Sequence, residues 1–318
     1  MLWVVTGGVG FIGFHLCRAI AERGDDVVVV DDFSDAPYPR AWKERNQRDL
    51  EAELGGRIRI TNACVTDRDA MRAAFEGAHG VVHLAGLAGV RPSFRAPARY
   101  ARVNVEGTAT TLEIARESGV KRYLFASSSS VYGNSTPLPA REDAPAVAPE
   151  SPYAATKRGA ELVAGAIAKI APDLPITALR FFTVYGPRQR PEMAITLFMN
   201  AVLRGEPITV FGDGSMQRDF THVDDIVRGI MLAMEKAPPG FRAYNLGSGN
   251  PIRLDALVLA IGTAAQKSAV VKRDAVPPGD VDATFADITR AREELGYGPR
   301  VALVDGLATV RAWVSRSV

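Results

Sequence analysis

The sequence is poor in residues that form disulfides or bind metals. It has two cysteines, Cys17 and Cys64, and four histidines among 318 residues, with no spacing typical of a metal site. A chain of this length buries about three quarters of its extended surface, so it needs no such staple to fold. We therefore interpret both cysteines as small apolar residues in a reducing compartment, and we expect a cytoplasmic protein without a bound metal.

The sequence also lacks a strong net charge and a long apolar run. Lys and Arg number 38 against 36 for Asp and Glu, a formal charge of +2, so nucleic acid is not expected as the main partner. No apolar stretch approaches the ~18–20 residues of a membrane span, and the N-terminus has no basic leader. We therefore expect a globular protein, with 47% hydrophobic residues, that neither crosses a membrane nor carries a signal peptide.

Short apolar runs alternate with helical patterns in the first half of the chain. Because each run is apolar on both faces, the alternation predicts a doubly wound parallel sheet. The predicted strands are residues 2–5, 27–30, 57–60, 80–84, 122–127 and 176–182. The predicted helices between them are residues 13–23, 68–75, 97–118 and 152–169.

Helices dominate the predicted structure after Pro187. The pattern predicts helices at 194–204, 224–236, 254–265, 288–295 and 304–314, with short strands near 208–211 and 242–246. We therefore expect two units. Residues 1–187, with 221–247 returning to them, form the sheet domain, and residues 188–220 with 248–318 form a smaller, mainly helical substrate-binding lobe.

A glycine-rich turn, Thr6–Gly13 (TGGVGFIG), joins the first predicted strand to the first helix. Gly7 permits the tight turn, Gly10 lets the backbone approach a pyrophosphate, and Gly13 lets the helix pack close to the strand. The helix N-terminus then presents N–H groups to phosphate. The spacing is G-x-x-G-x-x-G rather than G-x-G-x-x-G, so a ligand-free βα turn is the alternative. The position favours a dinucleotide-binding Rossmann domain.

An aspartate ends the second predicted strand. Asp31 lies eighteen residues after Gly13, where a carboxylate can accept hydrogen bonds from the adenosine ribose. Asp32 follows it instead of an arginine, and this doubled negative charge favours NAD over NADP. The alternative is an aspartate that only caps a turn or a helix.

Candidate catalytic residues lie near the ends of two predicted elements. The serine run Ser127–Ser130 ends the strand at 122–127, at the sheet edge where ligands bind. Tyr153 and Lys157 are four residues apart, so they share one face of the helix after Pro152. A nearby ammonium favours the phenolate form, which makes tyrosine a usable base. Alone, this pair is common helix decoration; with the serines and the glycine turn it indicates catalysis.

Together these motifs resemble the extended short-chain dehydrogenase/reductase family, and the later motifs resemble its nucleotide-sugar epimerase branch. The matches run in family order from residue 2 to about residue 313. Besides those above, they are HLAG at 83–86, Asn104, RFFTVYGP at 180–187, FGDG at 211–214, RDFTHVDD at 218–225, NLGSG at 245–249, PGD at 278–280 and AD at 286–287.

The resemblance implies a site for NAD, a UDP-sugar substrate and a homodimer built from residues 97–118 and 152–169. It implies Ser128, Tyr153 and Lys157 as catalytic residues, Asp67 at the adenine ring and Asn104 as support for the active-site helix. The implied NAD-binding residues are Gly7, Gly10, Phe11, Ile12, Gly13, Asp31, Asp67, Leu84, Ala85, Gly86, Asn104, Tyr153 and Lys157. The implied substrate-binding residues are Arg91, Ser128, Ser129, Thr183, Arg190, Phe211, Arg218 and Asp280.

Two of these positions depart from the family pattern. Gly86 stands where many relatives have alanine. Pro277 stands where the galactose-type epimerases have an arginine before Pro-Gly-Asp, which puts one diphosphate contact in doubt.

The segment Thr183–Ala194 (TVYGPRQRPEMA) is most similar to the UDP-glucuronate 4-epimerases. An arginine fork such as Arg190 suits a sugar carboxylate, although a phosphate contact or a surface arginine is the alternative. Epimerisation of UDP-glucose, UDP-galactose or an N-acetylhexosamine is the second candidate function. Decarboxylases and 4,6-dehydratases are disfavoured because Ser129 and Ser130 replace their acidic residues. A non-catalytic NAD-binding protein is disfavoured because the catalytic set is intact.

Overall fold

A parallel sheet of seven described strands forms the centre of the structure, a computed structural model that describes residues 1–35, 39–275 and 282–317. The strands are β1 (Leu2–Thr6), β2 (Asp26–Asp31), β3 (Ile58–Asn62), β4 (Gly80–His83), β5 (Arg122–Ser128), β6 (Pro175–Phe181), β7 (Thr183–Tyr185), β8 (Ile208–Phe211), β9 (Gln217–Arg218), β10 (Phe220–His222), β11 (Gly240–Leu246), β12 (Ile252–Arg253) and β13 (Val271–Asp274). The helices are α1 (Phe11–Glu22), α2 (Arg40–Leu54), α3 (Arg68–Phe75), α4 (Val90–Arg95), α5 (Pro97–Tyr100), α6 (Gly107–Glu117), α7 (Pro152–Ala168), α8 (Ala194–Arg204), α9 (Val223–Lys236), α10 (Leu254–Ala265) and α11 (Leu303–Ser317).

The strand order of the central sheet confirms the doubly wound α/β fold. It is β11-β6-β5-β4-β1-β2-β3, and neighbouring strands pair in parallel throughout. The direction of winding reverses between β1 and β4, so the connections after these two strands diverge. Such a point leaves a crevice at the carboxyl ends of the strands, which is where open α/β sheets bind ligands.

Both faces of the sheet are covered by helices, as the apolar runs predict. In β1, Trp3 and Val5 belong to one buried cluster and Val4 to the other, because neighbouring side chains of a strand point to opposite faces. Helices α1 and α9 pack on the first face, and α3, α6 and α7 on the second.

A third hydrophobic cluster holds the later part of the chain together. It joins α8, α10 and α11 to the short strand β8, with Phe198, Val210, Leu257 and Val310 at its centre. Strand β13 pairs in parallel with β8. In contrast, β11 returns to pair with β6 at the edge of the central sheet.

The structure differs from the sequence prediction at four helices: α2 and α4 were not predicted, and two predicted helices contain π-helical turns. Helix α2 was not predicted, because its buried positions Lys43, Asn46 and Leu50 include only one apolar residue. The helix predicted at 97–118 is α5, a π-helical turn at Ala101–Glu106 and then α6. The helix predicted at 288–295 is present at residues 289–295, with a π-helical turn at Ala291–Leu295.

Candidate active site

A cavity of about 800 Å³ opens at the carboxyl edge of the sheet, between the sheet and the later helices. This volume lies in the range of ligand-binding clefts. The cavity brings together most of the residues that the sequence predicted for cofactor and substrate. They are Gly7, Gly10, Phe11, Ile12, Gly13, Asp31, Leu84, Ala85, Gly86, Arg91, Ser128, Ser129, Tyr153, Lys157, Thr183, Arg190, Phe211 and Arg218. Asp280 and Pro277 lie outside the described residues.

The glycine turn is packed too tightly for side chains at two of its positions. Gly7 has φ +71°, and a Cβ there would lie 2.7 Å from the backbone nitrogen of Ala85. A Cβ on Gly13 would lie 2.2 Å from the carbonyl oxygen of Gly7. Gly10 is the N-cap of α1 and has no side chain to cap the helix, whose first turn holds no acidic residue. The turn and the positive end of α1 therefore fit a pyrophosphate.

Asp31 is buried at the cleft beside a lysine that sequence reasoning missed. Its Oδ1 accepts hydrogen bonds from Lys43 Nζ at 2.9 Å and from the backbone N–H of Phe33 at 3.0 Å. Burial raises the pKa of the Asp31 carboxyl, and the Lys43 ammonium opposes this. Lys43 Nζ also lies 3.4 Å from Asp32 Oδ1. The doubled negative charge predicted here is therefore partly balanced by one buried cation.

Asp67 does not join the residues around the cleft. Its carboxylate caps α3, where it accepts hydrogen bonds from the N–H groups of Asp69 and Ala70 at 3.1 Å. The residues of this connection that do line the cleft are Ala63, Cys64 and Val65. The role that the structure shows for Asp67 is the N-cap of α3, and its contact with adenine stays a prediction. An aspartate before a helix serves equally well as an N-cap, and nothing in its spacing separates the two roles.

Asn104 supports the cofactor segment from behind and does not line the cleft. It is 1% exposed, its Oδ1 accepts the N–H of Leu87 at 2.8 Å, and its Nδ2 donates to Thr156 Oγ1 at 3.1 Å. It thus links the 84–87 segment to the catalytic helix α7 from within a π-helical turn, a feature common near functional sites. The structure thus gives Asn104 a supporting role, and its direct contact with the cofactor stays a prediction.

The catalytic candidates meet where β5 ends and α7 begins. Ser151 caps α7 by accepting the N–H of Ala154 at 3.2 Å, which puts Tyr153 in the first turn and Lys157 one turn later. Lys157 Nζ donates to the carbonyl oxygen of Ala126 at 2.8 Å. Ser128, the last residue of β5, lies close enough to Tyr153 for its hydroxyl to lower the pKa of the phenol. The three side chains therefore share one corner of the cleft.

The electrostatics of this corner are set by burial and by nearby groups. Burial raises the pKa of the Tyr153 phenol, and the Ser128 hydroxyl and the Arg190 charge oppose that shift. Burial lowers the pKa of Lys157 to about 8, while Glu161 on the same helix opposes the shift. A phenol near a serine hydroxyl and the Arg190 charge, one helical turn before Lys157, is suited to exchange a proton with a bound hydroxyl group.

Cations and an aromatic ring also line the cleft. Arg190 lies close enough to Tyr153 for its charge to lower the phenol pKa, and its Nη1 is 2.9 Å from Glu192 Oε1. Arg91 stacks on Phe211, with the guanidinium carbon 5.1 Å from the ring centroid. Arg218 also lines the cleft. These groups suit an anionic ligand with a planar ring at one end.

The described side chains form no metal-binding cluster. Within residues 1–35, 39–275 and 282–317, no cluster of three or more His, Cys, Asp or Glu side chains has the geometry to hold a metal ion. The turn Ser129–Tyr132 puts hydroxyl groups, and not carboxylates, directly after Ser128.

The Rossmann sheet, its glycine turn and the Ser-Tyr-Lys group at its edge define an extended short-chain dehydrogenase/reductase. Residues 3–247 match the family described as "NAD dependent epimerase/dehydratase family", and the chain belongs to it.

Three relatives illustrate the similarity. The UDP-glucuronate 4-epimerase of Thermodesulfobacterium geofontis is 35% identical over 99% of this chain and 97% of its own length. The structure of the Bacillus cereus UDP-glucuronic acid 4-epimerase in complex with UDP-glucuronic acid and NAD has a TM-score of 0.93 and 34% identity, with all of both chains covered. MoeE5 in complex with UDP-glucuronic acid and NAD has a TM-score of 0.87 and 37% identity, also with all of both chains covered.

Proposed function

We propose that this protein is an NAD-dependent UDP-glucuronate 4-epimerase that forms UDP-galacturonate. The observation that carries this proposal is the position of Arg190 and Thr183 in the same cleft as Tyr153, so that a sugar carboxylate and the sugar 4-hydroxyl can be held at once. The relatives described above, which are named for this reaction, support it.

NAD fits the residues at the sheet edge. We assign its pyrophosphate to the turn Gly7–Gly13, its adenosine ribose to Asp31 and its nicotinamide ribose to Tyr153 and Lys157. The crowding at Gly7 and Gly13 and the uncapped start of α1 favour this assignment. NAD bound there would supply the acceptor of a hydride from C4 of the sugar and, once reduced, the donor that returns it to the opposite face of the sugar.

The side chains of this protein handle the proton and the position of the sugar. Tyr153 takes the proton of the 4-hydroxyl, and the Lys157 ammonium beside it favours the phenolate. Ser128 holds the same oxygen through its hydroxyl. Arg218, with Arg91 and Phe211, holds the UDP end, about which the oxidised sugar turns to present its other face before Tyr153 returns the proton.

The carboxylate gives Arg190 a second task. Oxidation at C4 of glucuronate forms a β-keto acid, which loses carbon dioxide when its carboxylate bond stands perpendicular to the ketone plane. A fork from Arg190, with hydroxyl groups from Thr183 and Ser129, holds the carboxylate away from that geometry. The protein therefore favours inversion over decarboxylation.

A neutral UDP-sugar is the second candidate substrate. Its support is the ion pair between Arg190 and Glu192, which satisfies the guanidinium without a substrate carboxylate. Lyase activity is disfavoured, because hydroxyl side chains follow Ser128 where the dehydratases and decarboxylases carry acidic ones.

Product analysis separates these candidates. The protein is incubated with UDP-glucuronate, UDP-glucose and UDP-N-acetylglucosamine in turn, and the products are separated by anion-exchange chromatography. We expect UDP-galacturonate as the main product and slower conversion of the neutral sugars. UDP-pentose as the main product, or conversion of neutral sugars alone, contradicts the assignment.

We also propose that residues 1–187 with 221–247 form the cofactor domain and residues 188–220 with 248–318 the substrate lobe. The pairing of β11 with β6 and the separate cluster around Val210 support this division.

We further propose a homodimer formed through residues 97–118 and 152–169. Its support is Leu162 on α7, which is 59% exposed. Light scattering of the wild-type protein and of Leu162→Glu tests it, because a charge in the interface shifts a dimer towards monomer.

A cytoplasmic location is proposed on the two unpaired thiols, Cys17 and Cys64. In a separate finding, none of the described helices combines the length and the apolar character that a membrane crossing requires.

A further inference from the structure

The loop that carries Arg190 is fastened to its neighbours on both sides. Gln189 Nε2 donates to the carbonyl oxygen of Val184 at 2.6 Å, and Thr196 Oγ1 donates to Gln189 Oε1 at 2.8 Å. On the far side, His15 Nε2 lies 3.0 Å from the carbonyl oxygen of Pro187. A loop held by this many buried contacts keeps one conformation, so the position of Arg190 depends on them.

Arg188, two residues before Arg190, points away from the cleft into the cofactor-binding helices. Its Nη2 lies 2.6 Å from Asp49 Oδ2 on α2, and its guanidinium carbon lies 3.7 Å from the centroid of the Phe14 ring on α1. Its backbone has φ +69°, a conformation that costs free energy in a residue with a long side chain. The surrounding contacts must therefore hold Arg188 in place.

A third partner connects Arg188 to the glycine turn. Arg188 Nη1 donates to Asn46 Oδ1, and Asn46 Nδ2 donates to the carbonyl oxygen of Val9 at 2.9 Å. Val9 lies inside the turn, next to Gly10. Asn46 is 4% exposed, so water cannot readily replace either bond. One buried amide thus joins the phosphate-binding turn to the loop of Arg190.

We infer that Arg188 and Asn46 are positioning residues that align the Arg190 fork with the cofactor-binding turn. The inference rests on the proposed function, in which Arg190 binds the sugar carboxylate. A bidentate fork needs its partner within a few tenths of an ångström, and displacement of a positioning group by about 1 Å can lower the reaction rate about a hundredfold. Loss of the hydrogen bonds that link Arg188 through Asn46 to Val9 should therefore weaken binding of an acidic sugar nucleotide much more than binding of a neutral one.

Affinity measurements test this without depending on turnover. In NAD-loaded protein that carries Tyr153→Phe, calorimetry measures the Kd of UDP-glucuronate and of UDP-glucose. Arg188→Met keeps an apolar contact with Phe14 but removes the hydrogen-bond donors. It should raise the Kd of UDP-glucuronate about tenfold and the Kd of UDP-glucose less than about threefold. Arg188→Lys keeps the charge beside Asp49 without the fork, so it should restore only part of the loss.

Two further variants separate positioning from general structure. Arg45→Met is the matched control, because Arg45 stacks on the Trp313 ring that Arg188 also contacts, at 4.9 Å and 4.8 Å respectively. It should leave both affinities unchanged. In protein that already carries Arg190→Ala, Arg188→Met should raise the Kd of UDP-glucuronate less than about twofold further, because the effects of two residues that act through one group are not additive.

Retention of NAD tests the hydrogen bond between Asn46 and Val9 in the glycine turn. Asn46→Ala should lose NAD during gel filtration more readily than the wild-type protein, whereas Arg45→Met should retain it. Equal weakening of both sugars by Arg188→Met, full additivity with Arg190→Ala, or unchanged NAD retention in Asn46→Ala would overturn the inference. If UDP-glucuronate does not bind the wild-type protein, the proposed function fails. NAD retention alone then tests whether Asn46 positions the glycine turn.

Discussion

Replacing Arg190 with alanine should weaken UDP-glucuronate selectively. A charge-assisted hydrogen-bonded pair is worth roughly 1.5–3 kcal/mol. Arg190 must first leave Glu192, which lies 2.9 Å away and whose side chain is 51% exposed, and such a partly exposed pair is worth about 0.5–1 kcal/mol. The net contribution is about 1–2 kcal/mol, so the Kd of UDP-glucuronate should rise about five- to thirtyfold.

The same substitution should also change the product. Without the fork, the carboxylate of the oxidised sugar can rotate out of the ketone plane, so part of the turnover should yield a UDP-4-keto-pentose and carbon dioxide. Calorimetry with UDP-glucuronate, UDP-glucose and UDP gives the affinities, and chromatography with trapping of labelled carbon dioxide gives the product ratio. Equal weakening of all three ligands, without any carbon dioxide, would refute the reasoning and make Arg190 a diphosphate contact.

Three other substitutions test separate parts of the site. Tyr153→Phe should abolish turnover while NAD and the UDP-sugar stay bound, because it removes only the phenolic oxygen and leaves the other contacts of both ligands in place; turnover within about tenfold of wild type speaks against a base role. Lys157→Met should abolish turnover yet raise the free energy of unfolding of the NAD-free protein by roughly 2 kcal/mol at pH 7. Burial lowers the pKa of Lys157 from 10.5 to about 8, which is worth about 3 kcal/mol, and the lost hydrogen bond to Ala126 offsets about 1 kcal/mol. The stabilisation relative to wild type should shrink as the pH rises from 8 to 10.5, where the unfolded chain loses the same proton, and a constant difference across urea titrations contradicts it. Asp67→Ala should lower the free energy of unfolding by about 1 kcal/mol through the lost cap of α3 without changing NAD affinity. Weaker NAD binding would instead indicate that Asp67 contacts the cofactor.

The central sheet and the glycine turn could be predicted because their physical demands leave a mark on the sequence. A strand buried on both faces must be apolar throughout, as Val27–Val30 is, and a turn as tight as that at Gly7 excludes side chains. Tyr153 and Lys157 could also be placed, since helix geometry puts residues four apart on one face.

The remaining features depend on contacts between distant parts of the chain. Lys43 is buried by its ion pair with Asp31, and a polar helix with such a buried face shows no apolar period. For the same reason the link from Val9 through Asn46 to Arg188 leaves no sequence signal. The capping role of Asp67 could not be predicted for a different reason, because capping and ligand binding select the same residue type before a helix.

Isotope tracing in deuterated water tests the epimerase account most directly. The protein is incubated with UDP-glucuronate in deuterium oxide, and the product is analysed by mass spectrometry and proton NMR. We expect UDP-galacturonate with no deuterium on carbon, because the hydrogen removed from C4 is returned to the same carbon without exchange with solvent. Deuterium at C4 or C5, or a product that has lost carbon dioxide, would contradict transient oxidation at C4 with return of the same hydrogen.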